Sequence, residues 1–173
     1  MKAIKYVLYI FIQWTWGFIQ SFIGLMLFIK YAAKGNKHVF YHGAIMTYHE
    51  EGWGGVSLGM FTFVNGTRSQ EWLKDAEPHE YGHTIQSLIL GPLYCFVIGI
   101  PSSVWCNGKN GIEKRKQGAS YYDFYTESWA NSCAEKVLKC DKIVYADNEA
   151  AAIRQKLSEG TNEWLSYKNR NVN

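Results

Sequence analysis

The sequence predicts an α+β fold: an apolar, membrane-anchoring amino-terminal helix in residues 1–34, then a compact domain in residues 35–173 that combines helices with a small antiparallel sheet. Three observations point there. Ile4–Ile29 is a run of 26 residues, 19 of them apolar or aromatic. Residues 38–64 hold β-prone runs broken by glycines. From Pro78 onward, prolines and glycines punctuate segments that read as helices. The 173 residues suit one domain with an appendage, and 47% hydrophobic with 19% charged residues excludes a disordered chain.

The amino-terminal run exceeds the about 20 residues needed to cross a bilayer's hydrocarbon core. Lys2 and Lys5 precede its core, and Lys30, Lys34 and Lys37 follow it. Tyr6, Tyr9, Trp14, Trp16 and Tyr31 are rings of the kind found at bilayer interfaces. A cleaved signal peptide fits poorly, because the run is longer than the usual ~7–15 residues and only Tyr31-Ala32-Ala33 follows it. The expected partner is therefore a lipid bilayer, with lysines at both ends leaving the orientation open. Net charge is +3, but residues 1–37 carry five lysines and no acid, whereas residues 38–140 carry eight bases and ten acids. A mildly acidic body argues against nucleic acid as a partner.

Within the domain, His38–Tyr41 and Val56–Val64 read as strands with turns at Gly52, Gly54, Gly55 and Gly59. His49-Glu50-Glu51 reads as a loop, and residues 65–77 as polar and loop-like, with room for short helical turns. Pro78–Leu90 reads as a helix, since Pro is tolerated in a first turn and Gly91-Pro92 stops it. Leu88–Trp105 is a second apolar stretch. It is near the short limit for a span and broken by Gly91-Pro92 and Pro101, so it reads as a buried or shallow re-entrant element. Asn107–Gly118 reads as a basic loop, and Tyr121–Leu138 and Asn148–Leu157 as helices, the last stopped by Gly160. The four cysteines lack C-x-x-C spacing. Cys133 and Cys140 would stand about 10.5 Å apart along a helix, too far to bridge, whereas Cys95 and Cys106 could pair.

The chemistry lies in His79-Glu80-Tyr81-Gly82-His83, an H-E-x-x-H pattern. On a helix the two histidines share a face and can bind one Zn²⁺, while Glu80 can act as general base. Gly82 keeps the metal face uncrowded. A catalytic zinc needs a third protein ligand. No histidine follows His83, so a downstream carboxylate is expected, Glu127 first and Asp123 as runner-up. Asn131, one turn after Glu127, can hold a zinc histidine from behind. His38 and His42 are also four apart, but their surroundings favour a strand, in which the rise separates them too far for one zinc.

These residues resemble the gluzincin class of zinc metallopeptidases, in which two helices cross and the second donates a glutamate. The longer pattern, over about residues 10–133, is also similar to small uncharacterised bacterial proteins with a hydrophobic amino terminus. The resemblance implies a zincin-like domain with two crossing metal-binding helices, zinc on His79, His83 and Glu127, and a peptide or protein substrate at a bacterial cytoplasmic membrane. It also implies that Val56–Val64 is an edge strand that pairs with substrate, with Gly54-Gly55 admitting another backbone. Gluzincins usually carry Asp where this chain has Asn131, and most are longer. Tyr121, Tyr122 and Tyr125 are candidates to polarise a carbonyl. The alternative is a non-catalytic, zinc-containing membrane-associated binding protein.

Overall fold

The computed structural model describes the backbone of residues 2–170 and the side chains of residues 3–161. Among these the chain is α+β, with seven α-helices and one four-stranded sheet. The sheet is mixed, which corrects the expected antiparallel one. Strands β1 (His38–Tyr41), β2 (Ala44–His49), β3 (Gly55–Leu58) and β4 (Phe61–Asn65) lie in the order β1-β2-β4-β3. β3 and β4 form the expected hairpin, but β4 inserts beside β2 and runs parallel to it. Burial explains the order. Every residue of β4 is buried, as suits a strand covered on both faces, while β3, with Gly55 and Ser57, takes the edge. The Val56–Val64 run is thus half edge and half centre.

Helix α3 (Gln70–Leu90) lies on this sheet. It starts two turns before Pro78, because Ser69 caps it by accepting from the Trp72 N–H at 3.2 Å. The expected loop at residues 65–77 is therefore mostly helix, with Pro78 inside it. Helix α6 (Tyr125–Leu138) packs along α3. The two backbones meet at Gly82, where a Cβ would overlap the Ala130 carbonyl. Gly82 thus serves helix-to-helix approach rather than merely clearing the metal face. Helix α7 (Tyr145–Arg170) starts on Asp75, whose Oδ2 accepts from the Val144 and Tyr145 N–H groups at 2.7 and 2.8 Å. It runs through Gly160, which was expected to stop it.

The amino-terminal run is two helices, α1 (Lys2–Thr15) and α2 (Phe18–Ala33), bent by 99° at Trp16-Gly17. Gln13, Gln20 and Ser21 of the run face inward and hold the bend against α3. Gln13 donates to the Thr84 carbonyl at 3.0 Å, and Gln20 donates to Ser87 Oγ and the Gly91 carbonyl, both at 2.9 Å. Tyr9 and Tyr31 join Phe61, Phe63 and Tyr81 in one core. The opposite faces of α1 and α2 are apolar and exposed, Ile4, Val7 and Phe11 on α1 and Phe18, Phe22 and Met26 on α2 among them.

Residues 91–107 turn back sharply through a 3-10 turn, Gly91–Leu93, and a π-helical turn, Cys95–Gly99, into α4 (Ile100–Asn107). Asn107–Gly118 is not a loop: it contains α5 (Lys109–Lys116). Arg115 fixes that helix by donating to the Trp105 and Cys106 carbonyls at 2.6 and 2.5 Å. No single described helix is long and apolar enough to cross a membrane. Two bent pairs pass that test jointly, Ala3–Thr15 with Phe18–Ala33, and Gln70–Leu93 with Cys95–Asn107, the latter bent by 118°. All four cysteines, Cys95 and Cys106 included, are free.

Candidate metal centre

Three elements build the site: α3 supplies His79, Glu80 and His83, the first turns of α6 supply Glu127 and Asn131, and β3 supplies Gly55 and Ser57. One helical turn apart, the two imidazoles stand 4.9 Å between ring centroids. Glu127 Oε2 lies 3.1 Å from His79 Nε2 and 3.4 Å from His83 Nε2. The three ligand atoms all fall within 4.8 Å of one another, and all three residues are buried.

Surrounding hydrogen bonds fix which atoms face inward. Gln86 Nε2 donates to the Thr126 carbonyl at 2.8 Å, so Gln86 Oε1, 2.7 Å from His83 Nδ1, accepts the ring N–H. His83 Nε2 is left with its lone pair toward Glu127. Asn131 Oδ1, 2.6 Å from His79 Nδ1, does the same for the other ring. Thr126 Oγ1 donates to Glu127 Oε1 at 2.6 Å and leaves Oε2 for the centre. With both rings neutral, three acceptor atoms converge with no hydrogen between them, an arrangement that a cation or added protons must relieve. Two imidazole nitrogens and a carboxylate oxygen, each backed by a hydrogen-bonding partner, are a donor set that fits Zn²⁺.

The electrostatics agree with that geometry. Burial opposes charge on His83, but Glu127 beside it wins and lifts its pKa to about 9. Burial also opposes the charged form of Glu127, yet His83 and His79 hold its carboxyl far below the usual range. Glu80 behaves differently: burial raises it by more than the neighbouring imidazoles lower it. Glu80 stands outside the three-ligand group and against β3. Ser57 Oγ is 2.6 Å from Glu80 Oε2 and 2.7 Å from the Glu80 carbonyl. A Cβ at Gly55 would overlap Glu80 Oε1, so the glycine seats the side chain of Glu80.

Asp123 is not part of the centre, which corrects its place as runner-up ligand. Tyr121–Asp123 is a 3-10 turn, and Phe124 is extended, so Asp123 and Glu127 do not share a helix face. Asp123 Oδ2 instead accepts from the Ser120 N–H at 2.8 Å. His49, expected in a loop, is a buried residue of β2 stacked on Trp53 at 3.6 Å. Tyr121 and Tyr122 pack against the His79 ring at 6.3 and 5.2 Å, whereas Tyr125 donates its hydroxyl to the Val97 carbonyl at 2.6 Å.

Sequence reasoning missed four contributors. Gln86 lies three residues after His83, so helical spacing could have revealed it. Thr126 adjoins Glu127 and could also have been suspected. Ser57, and Tyr94, whose hydroxyl donates to the Ser57 carbonyl at 2.9 Å, carry no local signal, because their contacts depend on the packing of β3 and residues 91–107. Cavities of about 790 and 520 Å³ lie elsewhere, and none of His79, Glu80, His83 and Glu127 lines them. Comparison with protein-family models, with curated proteins and with solved structures finds no match for this chain.

Proposed function

We propose that this chain is a membrane-associated, zinc-dependent hydrolase, most simply a metallopeptidase of the gluzincin kind. The observation that carries the reading is the convergence of His79 Nε2, His83 Nε2 and Glu127 Oε2, with a buried, unliganded carboxylate, Glu80, alongside. Three protein donors, rather than the four of a structural site, are what a catalytic zinc requires. Zinc held there supplies a Lewis acid and brings the pKa of water down to about 7.

The chain's own residues do the rest. Gln86 and Asn131 keep both rings in the tautomer that turns Nε2 inward. Thr126 orients the Glu127 carboxylate. Glu80 takes a proton from the attacking water and returns it to the leaving amine, a role suited to a carboxylate whose pKa burial has raised. Ser57 holds Glu80 in place. Membrane association is supported by the exposed apolar faces of α1 and α2, which are unusual on a water-facing surface.

Metal analysis of the full chain tests this reading directly. One zinc per chain is expected, lost in His79→Ala and retained in Glu80→Gln, with hydrolysis of a peptide library lost in both. Hydrolysis retained in Glu80→Gln overturns the mechanism, and zinc retained in His79→Ala overturns the site. One zinc per chain without hydrolysis in the unsubstituted protein favours the non-catalytic binding protein.

A further inference from the structure

The metal centre is roofed. Residues 91–107 reach from β3 to the start of α6, the two elements that hold Glu80 and Glu127. At one end the Tyr94 hydroxyl donates to the Ser57 carbonyl at 2.9 Å. At the other, Trp105 donates to the Tyr121 carbonyl at 2.8 Å and stacks on Phe124 at 5.1 Å. Between them, the Val97 carbonyl accepts from Tyr125. Tyr94, Ile98 and Trp105 point inward and are buried. Beneath, His79, Glu80 and His83 are 5–6% exposed and Glu127 is 0% exposed. A peptide cannot reach them while the roof stays in place.

The Tyr94 contact falls at a telling position. The Asn65 N–H donates to the Gly54 carbonyl, so Gly54, Val56 and Leu58 turn their backbone groups toward β4. Gly55 and Ser57 turn theirs to the free edge, beside Glu80. An extended chain adding to that edge needs the Ser57 carbonyl, and Tyr94 already occupies it.

The roof's outer face is apolar. Leu93, Phe96, Ile100 and Val104 are each more than half exposed. That face joins the bare faces of α1 and α2, since Trp16, at their bend, rests on Gly91. Residues 1–37, which carry those bare faces, hold five lysines and no acid, although Lys30 and Lys34 share Glu51. A continuous apolar face beside positive charge is complementary to an anionic lipid surface. The irregular 3-10 and π-helical turns are the kind of backbone found at functional sites.

We propose that residues 91–107 form a bilayer-operated gate over the metal centre, latched by Tyr94 on the Ser57 carbonyl, and that the substrate is an extended polypeptide segment presented at the lipid surface. This rests on the zinc-hydrolase reading. Contact of the outer face with lipid draws the segment away from β3, frees the Ser57 carbonyl and opens the centre.

The test uses the full chain loaded with Zn²⁺ and diluted out of detergent, with or without vesicles of phosphatidylcholine and phosphatidylglycerol. Zinc release to excess 4-(2-pyridylazo)resorcinol reads the opening of the roof, and flotation reads vesicle binding. Vesicles are expected to speed release about fivefold or more. Tyr94→Phe is expected to speed it about fivefold without vesicles, the worth of one hydrogen bond. Phe96→Glu with Val104→Glu, both at exposed positions, keeps the vesicle-free rate and loses the acceleration. Unchanged release from vesicle-bound protein, or from Tyr94→Phe, overturns the gate and leaves the zinc site standing. A chain that takes up no zinc overturns the hydrolase reading and the gate with it.

Discussion

Helices α3 and α6 carry the candidate centre and bury its polar side chains, whereas α1 and α2 carry much of the apolar surface and expose it. His79, Glu80, His83, Thr84, Gln86 and Ser87 on α3 are all buried, while Ile4, Val7, Phe11, Phe18 and Phe22 on α1 and α2 are exposed. The distribution inverts the usual rule that polar residues lie outside. Such an interior is stable only if its polar groups pair with one another. Gln86 with Thr126, Asn131 with His79, and Ser57 with Glu80 do so across three elements. The contrast separates two kinds of sensitivity. Changes between α3 and α6 disturb the centre, and changes on the outside of α1 and α2 disturb only what that face touches.

The largest effect on the centre is expected where α3 and α6 meet. Gly82→Val places side-chain atoms where the Ala130 main-chain carbonyl lies, and a backbone cannot step aside as a side chain can. Overpacking of this kind costs about 1–3 kcal/mol or more, and Glu127, one turn before Ala130, moves with it. Thermal unfolding and metal analysis should show a marked fall in Tm together with loss of zinc. Gly52→Ala is the control, since nothing lies within 4 Å of a Cβ there. Full zinc content in Gly82→Val would separate the helix contact from the metal centre.

A smaller effect is expected from the residues behind the ligands. Gln86→Leu frees His83 Nδ1 from its acceptor, and Asn131→Ala does the same for His79. Each is expected to weaken zinc binding about 10–100-fold with little change in fold content, read by competition with a chelating dye. Asn131→Asp keeps the acceptor, adds charge, and is expected to bind at least as tightly as the parent.

How much of this was legible in sequence follows from how local each signal is. His79, Glu80 and His83 share one helical turn, so spacing alone placed them together. Glu127 and Asn131 could be reached because they are also one turn apart. Asp123 misled because the helix pattern continues through Tyr121–Phe124, and nothing local reveals that Ser120 draws Asp123 into a cap. Ser69 was an unread helix start, so Pro78 took its place in the reading. The bend at Trp16-Gly17 was hidden for a related reason: Gln13, Gln20 and Ser21 looked like weak points of an apolar run. Their partners, Thr84, Ser87 and Gly91, lie about seventy residues away for the two glutamines. The parallel pairing of β2 with β4 likewise depends on which strand is buried on both faces.

The pH response gives a finer test of the buried side. In chain stripped by a chelator, His83 has a folded pKa of about 9, above its ordinary 6.5. It therefore adds stability that is complete below about pH 6.5 and lost as pH rises through 9. Glu127, held far below its ordinary 4.5, adds stability that is complete above that value and is lost progressively as pH falls below it. Glu80, raised by burial, subtracts stability as pH rises past its ordinary value. The stripped chain is thus expected to be most stable near about pH 4.5 and to weaken toward pH 9. Zinc reverses the trend, because it binds deprotonated ligands. The gap in Tm between loaded and stripped chain should widen from pH 6 to pH 9, and a constant gap would remove the metal from these residues.

The smallest effect on stability, and the sharpest test of the contrast, belongs to the outer face. Phe11 is 63% exposed on α1, and Tyr31 is 1% exposed on α2, packed between His49, Trp53 and Phe63. Both are aromatic residues of the same apolar run, so composition treats them alike. Phe11→Glu is expected to move the unfolding free energy by no more than about 0.5 kcal/mol, while Tyr31→Ala costs about 3–5 kcal/mol, by analogy with other buried aromatics. Vesicle flotation should reverse the ranking. A phenylalanine buried in lipid contributes about 1.5–3 kcal/mol, so Phe11→Glu lowers partitioning roughly tenfold or more, whereas Tyr31→Ala, once folded, does not. If Phe11→Glu destabilises the fold as much as Tyr31→Ala, the outer face is covered by protein rather than lipid, and the division between an inner chemical pair and an outer apolar pair fails.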